Sequence, residues 1–230
     1  MNANNQIATF FSHFSLDEFP NLRSLHLIEI DEHDASGLKE MLSSLSNLHY
    51  FYLTVSSDGT DKILTALPTT SITLLSIPKL ELKPVFNDQF MLVINLTINQ
   101  CSAKELSQLF LYLPKLKSLS IEHLSESSSF DINEYVAVHL KQLILNQITA
   151  GFDFLAMLFR QTPNLRSLKI SAHDHKEFID ACRWQHLITS SLHFVIYFNF
   201  KFHSTLVYKN SAIADKFQYF QSDFWHQQHH

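Results

Sequence analysis

Leu116-Lys117-Ser118-Leu119-Ser120-Ile121 places an apolar residue at the first, fourth and sixth positions. The phrase recurs along the whole chain. It appears first as Leu22, Leu25 and Leu27, then as Leu48, Phe51 and Leu53, then as Ile72, Leu75 and Ile77. Val93, Leu96 and Ile98 precede the quoted copy, and Leu140, Leu143 and Leu145 follow it. Leu165, Leu168 and Ile170 come next, and an altered eighth copy is read at Leu192, Val195 and Tyr197. The starts lie 26, 24, 21, 23, 24, 25 and 27 residues apart. A single phrase of this kind arises readily in a Leu-rich chain, but eight at nearly even spacing make a repeat.

Inside each unit the apolar period changes. Leu25 and Leu27 alternate with Ser24 and His26, as a strand with one buried face requires. Leu106, Leu109, Phe110 and Leu113 then fall at the i, i+3, i+4, i+7 spacing of a helix face. Ser102 and Glu105 form a capping box at its start. Phe152, Leu155, Ala156 and Phe159 make a second helical stripe, and Phe178, Ala181, Cys182 and Ile188 a third, with Trp184 and Leu187 beside it. Each helical stretch runs into a Pro or small polar join such as EFPNL, SLSNL, YLPKL or QTPNL, which returns the chain to extended geometry. Strand plus helix at a period of about 20–29 residues predicts an α/β leucine-rich-repeat solenoid. The expected shape is a horseshoe of about eight irregular repeats, with a parallel sheet on the concave face and helices on the convex face. Residues 1–18 are expected to cap the N-terminus, 19–204 to form the repeats, and 205–230 to supply a C-terminal capping helix and tail. The Asn or Cys that closes the strand of regular repeats stands only at Cys101; Ile30, Ser56, Leu80, Leu124, Ile148 and His173 are read at the equivalent positions, so no asparagine ladder is expected.

Composition narrows the function classes. Apolar residues make up 46% and charged residues 17%, enough for a sizeable core and too little charge for a disordered chain. Three glycines in the whole chain argue against the phosphate-cradling loops of nucleotide enzymes. A net charge of −5, without a cluster of five basic residues, argues against nucleic acid. Two cysteines, Cys101 and Cys182, do not make a disulfide framework and fit a reduced, cytoplasmic or nuclear compartment. No run of 18 apolar residues occurs, so no membrane span is expected, and the first eleven residues do not read as a secretory signal. The sequon Asn95-Leu96-Thr97 is read as chance, because Leu96 belongs to a buried strand pattern.

Candidate chemistry is sparse. His173-Asp174-His175 with Cys182 has metal-ligand residue types, but zinc needs three or four converging ligands and Cys182 is assigned to an apolar stripe. His226, His229 and His230 read as a frayed tail. Asp31, Glu32, His33 and Asp34 read as a solvated turn before a helix. Both cysteines fall at buried-type positions, and no Gly-x-Ser-x-Gly nucleophile motif occurs. No catalytic residue, metal or cofactor is expected.

The remaining candidate is a surface. Strand residues between the buried ones should face the concave side. These are Ser24, His26, Tyr50, Tyr52, Leu74, Ser76, Asn95, Thr97, Asn99, Ser118, Ser120, Glu122, Gln142, Asn146, Ser167, Lys169 and Ser171. Most are polar and uncharged, which suits a protein substrate, and Tyr50 and Tyr52 are the leading anchors because Tyr couples a large apolar area to a polar tip. The segment Leu192 to Phe202, LHFVIYFNFKF, carries five aromatic residues and reads as a terminal strand that must be covered. Phe217, Phe220 and Phe224 are the expected cover; a partner or dimer contact is the rival reading.

The phrases FPNLRSLHL, YLPKLKSLSI and TPNLRSLKIS resemble those of F-box-associated leucine-rich-repeat proteins of the ribonuclease-inhibitor-like group. Asp180 to Phe202 is similar to the terminal repeat of one divergent branch, and Lys216 to Trp225 to its C-terminal helix. The likeness spans about residues 7 to 225. It implies a non-catalytic scaffold, with substrate recognition for an SCF-type (cullin-RING) ubiquitin ligase as its use. A ribonuclease-inhibitor-like regulatory scaffold unrelated to ubiquitin is the alternative. About 18 residues precede the first repeat, where an F-box needs about 40, so a Skp1-type adaptor is expected only if an F-box lies upstream. The chain reads as a fragment or a truncated paralogue.

Overall fold

The computed structural model describes residues 9–11, 13–30, 38, 40–55, 60–68, 71–79, 90–125, 135–173, 176–203, 218–222 and 224–225. Eight strands run in chain order: β1 Ser24–Ile30, β2 Tyr50–Val55, β3 Leu74–Lys79, β4 Asn95–Ser102, β5 Ser118–Ser125, β6 Gln142–Ile148, β7 Ser167–His173 and β8 Tyr197–His203. They form one sheet in the order β1 to β8, and every neighbouring pair is parallel. Parallel neighbours need a crossover to bring the chain back to the same end, and the segments between the strands provide it. Among the described residues the crossovers include the helices α1 Thr60–Leu64, α2 Ala103–Tyr112, α3 Phe152–Arg160 and α4 Ala181–Ser191.

The repeated phrase is the inward side of this sheet. From Leu48 to Ile170 all its residues are buried, whereas Leu22 and Leu25 of the first copy are half-buried. The inward strand residues share one core with the apolar faces of the helices, among them Leu106 and Leu109 of α2 and Phe152, Leu155 and Phe159 of α3. The Ser102–Glu105 capping box forms as expected: the Glu105 N–H donates to Ser102 Oγ at 3.2 Å, and the Ser102 N–H to Glu105 Oε2 at 2.7 Å.

Each repeat hands the chain to the next by the same device. The carbonyl just before one strand accepts two successive N–H groups at the start of the next: Lys117 from Lys141 and Gln142, Lys141 from Arg166 and Ser167, Arg166 from Ile196 and Tyr197. The Asn of the join also reaches back one repeat, Asn47 Nδ2 to the Pro20 carbonyl at 3.0 Å and Asn164 Nδ2 to the Val138 carbonyl at 2.8 Å.

Register corrects the reading of two places. The eighth copy begins three residues later than the sequence suggested. Phe198 and Phe200 pair with Leu168 and Ile170, while Tyr197 pairs with Ser167 and faces outward, 53% exposed. Leu192 instead occupies the turn before the strand: its carbonyl accepts from Val195, as Leu113 accepts from Leu116 and Thr162 from Leu165. The positions equivalent to Cys101 are Leu124, Ile148 and Ala172, and Val55 matches Ile30, so His173 and Ser56 fall one residue beyond. The cause is strand length. In β1, β4, β5 and β6 two outward residues separate the last two inward ones, as in Leu145-Asn146-Gln147-Ile148. In β2 and β7 a single residue does so, Thr54 and Ser171. The register shifts where long and short forms meet, between β1 and β2 and between β6 and β7.

Candidate functional site

The outward side of the sheet is built of two unbroken rows, each crossing all eight strands. The first row is Ser24, Tyr50, Leu74, Asn95, Ser118, Gln142, Ser167 and Tyr197. The second is His26, Tyr52, Ser76, Thr97, Ser120, Ile144, Lys169 and Asn199. Strand alternation puts them there: each residue of the second row lies between two inward residues, and each of the first row directly precedes one. Asn99, Glu122 and Asn146 lie further along β4, β5 and β6 on the same side. The expected contact residues Tyr50, Tyr52, Asn95, Thr97, Asn99, Ser118, Ser120, Glu122, Gln142, Asn146 and Lys169 are thus brought to one face.

At the β1 end the face is aromatic. The His26 ring lies 4.9 Å from Tyr50 and 5.3 Å from Tyr52, tilted to both. At the centre it is polar and internally tied. Ser118 Oγ donates to Gln142 Oε1 at 3.0 Å, and Asn146 Nδ2 donates to the Glu122 carboxylate at 2.7 Å. Such cross-strand bonds fix amide and carboxylate orientation and hold the carboxylate in place. At the β8 end the Tyr197 hydroxyl accepts from Asn199 Nδ2 at 3.3 Å. Lys169 is the single Lys, Arg, Asp or Glu of the two rows.

Three residues of this face escaped the sequence reading. Ile144 has the right alternation, but its apolar side chain hid it among the core residues. Tyr197 and Asn199 were misplaced with the three-residue slip of the last copy. The signal that finds them is the aromatic alternation Phe198, Phe200, Phe202, which continues the inward side of β7.

The expected chemical groups divide. Cys101 is buried, and burial, followed by the nearby Glu105 charge, raises its pKa, so it remains a protonated thiol. Cys182 is exposed, against expectation. It follows the N-cap Asp180, whose carboxylate accepts from the Cys182 and Arg183 N–H groups, and the buried stripe of α4 is Ala181, Trp184, Leu187 and Ile188. Cys182 therefore lies about half a turn from that stripe. His173 stacks on His203 with ring centroids 4.8 Å apart. Asp174 and His175, the 31–34 acidic cluster, and His226, His229 and His230 lie outside the described residues. Among the described residues no three His, Cys, Asp or Glu converge to hold a metal ion. Among them, too, no helix is long and apolar enough to cross a membrane.

The C-terminal cover uses a residue the sequence stripe passed over. Trp225 is buried and lies 6.1 Å from Phe198, 4.9 Å from Phe220 and 5.1 Å from Phe224. Phe217 lies outside the described residues. A comparison of the chain with protein-family models and with curated proteins finds no match.

Proposed function

We propose that the chain is a leucine-rich-repeat solenoid, a horseshoe with the two-row face on its concave side, and that it acts as a non-catalytic scaffold binding a protein there. The observation that carries this reading is the continuity of the face. Twelve of the sixteen aligned positions offer hydroxyls, amides or tyrosines, and one, Lys169, is a Lys, Arg, Asp or Glu. Hydroxyl and amide groups lose little on desolvation when a partner supplies matching hydrogen bonds, and aromatic rings at Tyr50 and Tyr52 supply anchoring area. The nearly neutral face fits a partner surface of mixed polar and apolar character better than a phosphate backbone.

Within this reading the bound protein is a substrate for ubiquitylation, presented through an adaptor that other sequence would recruit. Affinity purification of the intact gene product tests this use: recovery of Skp1-type and cullin subunits supports it, and recovery of neither leaves a regulatory scaffold of the ribonuclease-inhibitor type. The binding face is tested with the partner so recovered. Tyr50→Ala with Tyr52→Ala should weaken its binding by about 2 kcal/mol or more, roughly 30-fold. The melting temperature should move little, because cross-strand side-chain pairs on a half-buried outward face contribute about 0.2–1 kcal/mol each. Unchanged affinity in the double variant refutes this face.

A further inference from the structure

The two edges of the sheet are built differently. The β1 edge is irregular. Glu29 has a φ of 58°, in the left-handed region that costs a side-chain-bearing residue about 1–2 kcal/mol, and its N–H is tied inward to Thr54 Oγ1 at 3.0 Å. This strand also borders a groove of about 600 Å³ lined by Phe10, Phe11, Leu16 and Phe19. A bulge with a charged residue is a device that keeps further strands from adding to an edge.

The β8 edge has no bulge, and its one Lys, Arg, Asp or Glu is Lys201. All seven residues from Tyr197 to His203 pair with β7 in unbroken register. No Gly or Pro interrupts it, and Phe198, Phe200 and Phe202 remain half-exposed although they point to the inward side. Among the described residues no strand lies beyond it. Trp225 covers Phe198 from the inward side, which leaves the row of outer N–H and C=O groups without a described partner.

We propose that β8 pairs antiparallel with β8 of a second copy of this chain across a two-fold axis through Phe200. The strand is self-complementary about that residue. Tyr197 then faces His203, Phe198 faces Phe202, Asn199 faces Lys201 and Phe200 faces its own copy. All seven residues are paired, and the three phenylalanines of each copy meet those of the other on one side of the sheet. Centring on Lys201 would set two like charges opposite each other, and centring on Asn199 would leave the end of the strand unpaired. A centre between residues would oppose inward phenylalanines to outward polar residues, which the two-residue period forbids. The contact is isologous and closes at two copies. It shares Tyr197 and Asn199 with the last strand of the outward rows, but it rests on the edge of the sheet and not on the binding proposed for those rows.

The test uses the full chain and its mass in solution as a function of concentration. The wild type should be a dimer in equilibrium with monomer. Asn199→Lys opposes two lysines twice per dimer and should raise the dimer dissociation constant about tenfold, since each like-charge pair costs up to about 1 kcal/mol. Asn199→Glu should lower it, and Asn199→Lys combined with Lys201→Glu should restore it. Should a charged variant not fold, a mixture of N199C and K201C chains, each also C182S, decides the matter: they should cross-link to each other and not to themselves. A monomer at every concentration, a dimer indifferent to these charges, or an open-ended assembly overturns the proposal.

Discussion

Strands β5 and β8 carry the same alternation in the same register, yet they are buried to different extents. Leu119 and Ile121 of β5 are fully buried between β4 and β6. Phe198, Phe200 and Phe202 of β8 are only half-buried, although each is far larger. In a row of parallel strands a side chain is covered by the strand before it and the strand after it, and among the described residues no strand follows β8. The end of the chain compensates with aromatic area. Trp184 lies 5.4 Å from Phe198, 5.3 Å from Phe200 and 5.0 Å from Phe152, and donates from Nε1 to the Phe178 carbonyl at 2.8 Å. Arg183 covers the Phe152 ring at 4.6 Å and reaches Asp153 of the preceding helix. Aliphatic packing is enough in the middle, whereas the end needs rings that can span the distance a missing neighbour would fill.

The largest test of this contrast is Trp184→Ala, which should cost about 4–5 kcal/mol in chemical denaturation, because it empties the hub of the terminal cluster and orphans the Phe178 carbonyl. Leu119→Ala should cost about 3–4 kcal/mol by the same measurement, as expected for a leucine fully enclosed on both sides. Phe202→Ala removes a larger side chain but should cost only about 1–2 kcal/mol, since much of the ring already meets solvent. A Phe202→Ala loss equal to that of Leu119→Ala would break the comparison and imply a cover over β8 beyond Trp225. The smallest effect sits in the middle of the array. Ser102→Ala should cost about 1 kcal/mol, the value of an N-cap, read as a shift in the denaturation midpoint without a change in slope.

The repeat and the parallel order of its strands were legible because each is written in local pattern: the phrase fixes which side of a strand is apolar, and the spacing leaves room for a crossover. The capping box at Ser102 was legible for the same reason. The eighth copy was not, because Leu192, Val195 and Tyr197 satisfy the phrase as well as the true inward residues do. Its slip carried Tyr197 and Asn199 off the face. The burial of Cys182 was misread because the apolar stripe was drawn through it, whereas Ala181, Trp184, Leu187 and Ile188 form the buried side about half a turn away. Trp225 went unnoticed because one buried ring in a short terminal turn leaves no periodic trace.

By itself the sequence determined the alternation of inward and outward residues, the length of each repeat and the neutral, Tyr-bearing character of the outward side. These follow from the two-residue period of a strand and the stop signals at each join, which act within a few residues of one another. The tertiary structure alone decided the register between strands, and with it which outward residues line up into two rows. It also decided where the last strand begins and how its exposed rings are covered. Those outcomes depend on hydrogen bonds and contacts between residues two dozen positions apart, where one or three residues of slip satisfy the local pattern equally well but only one pairing buries the core.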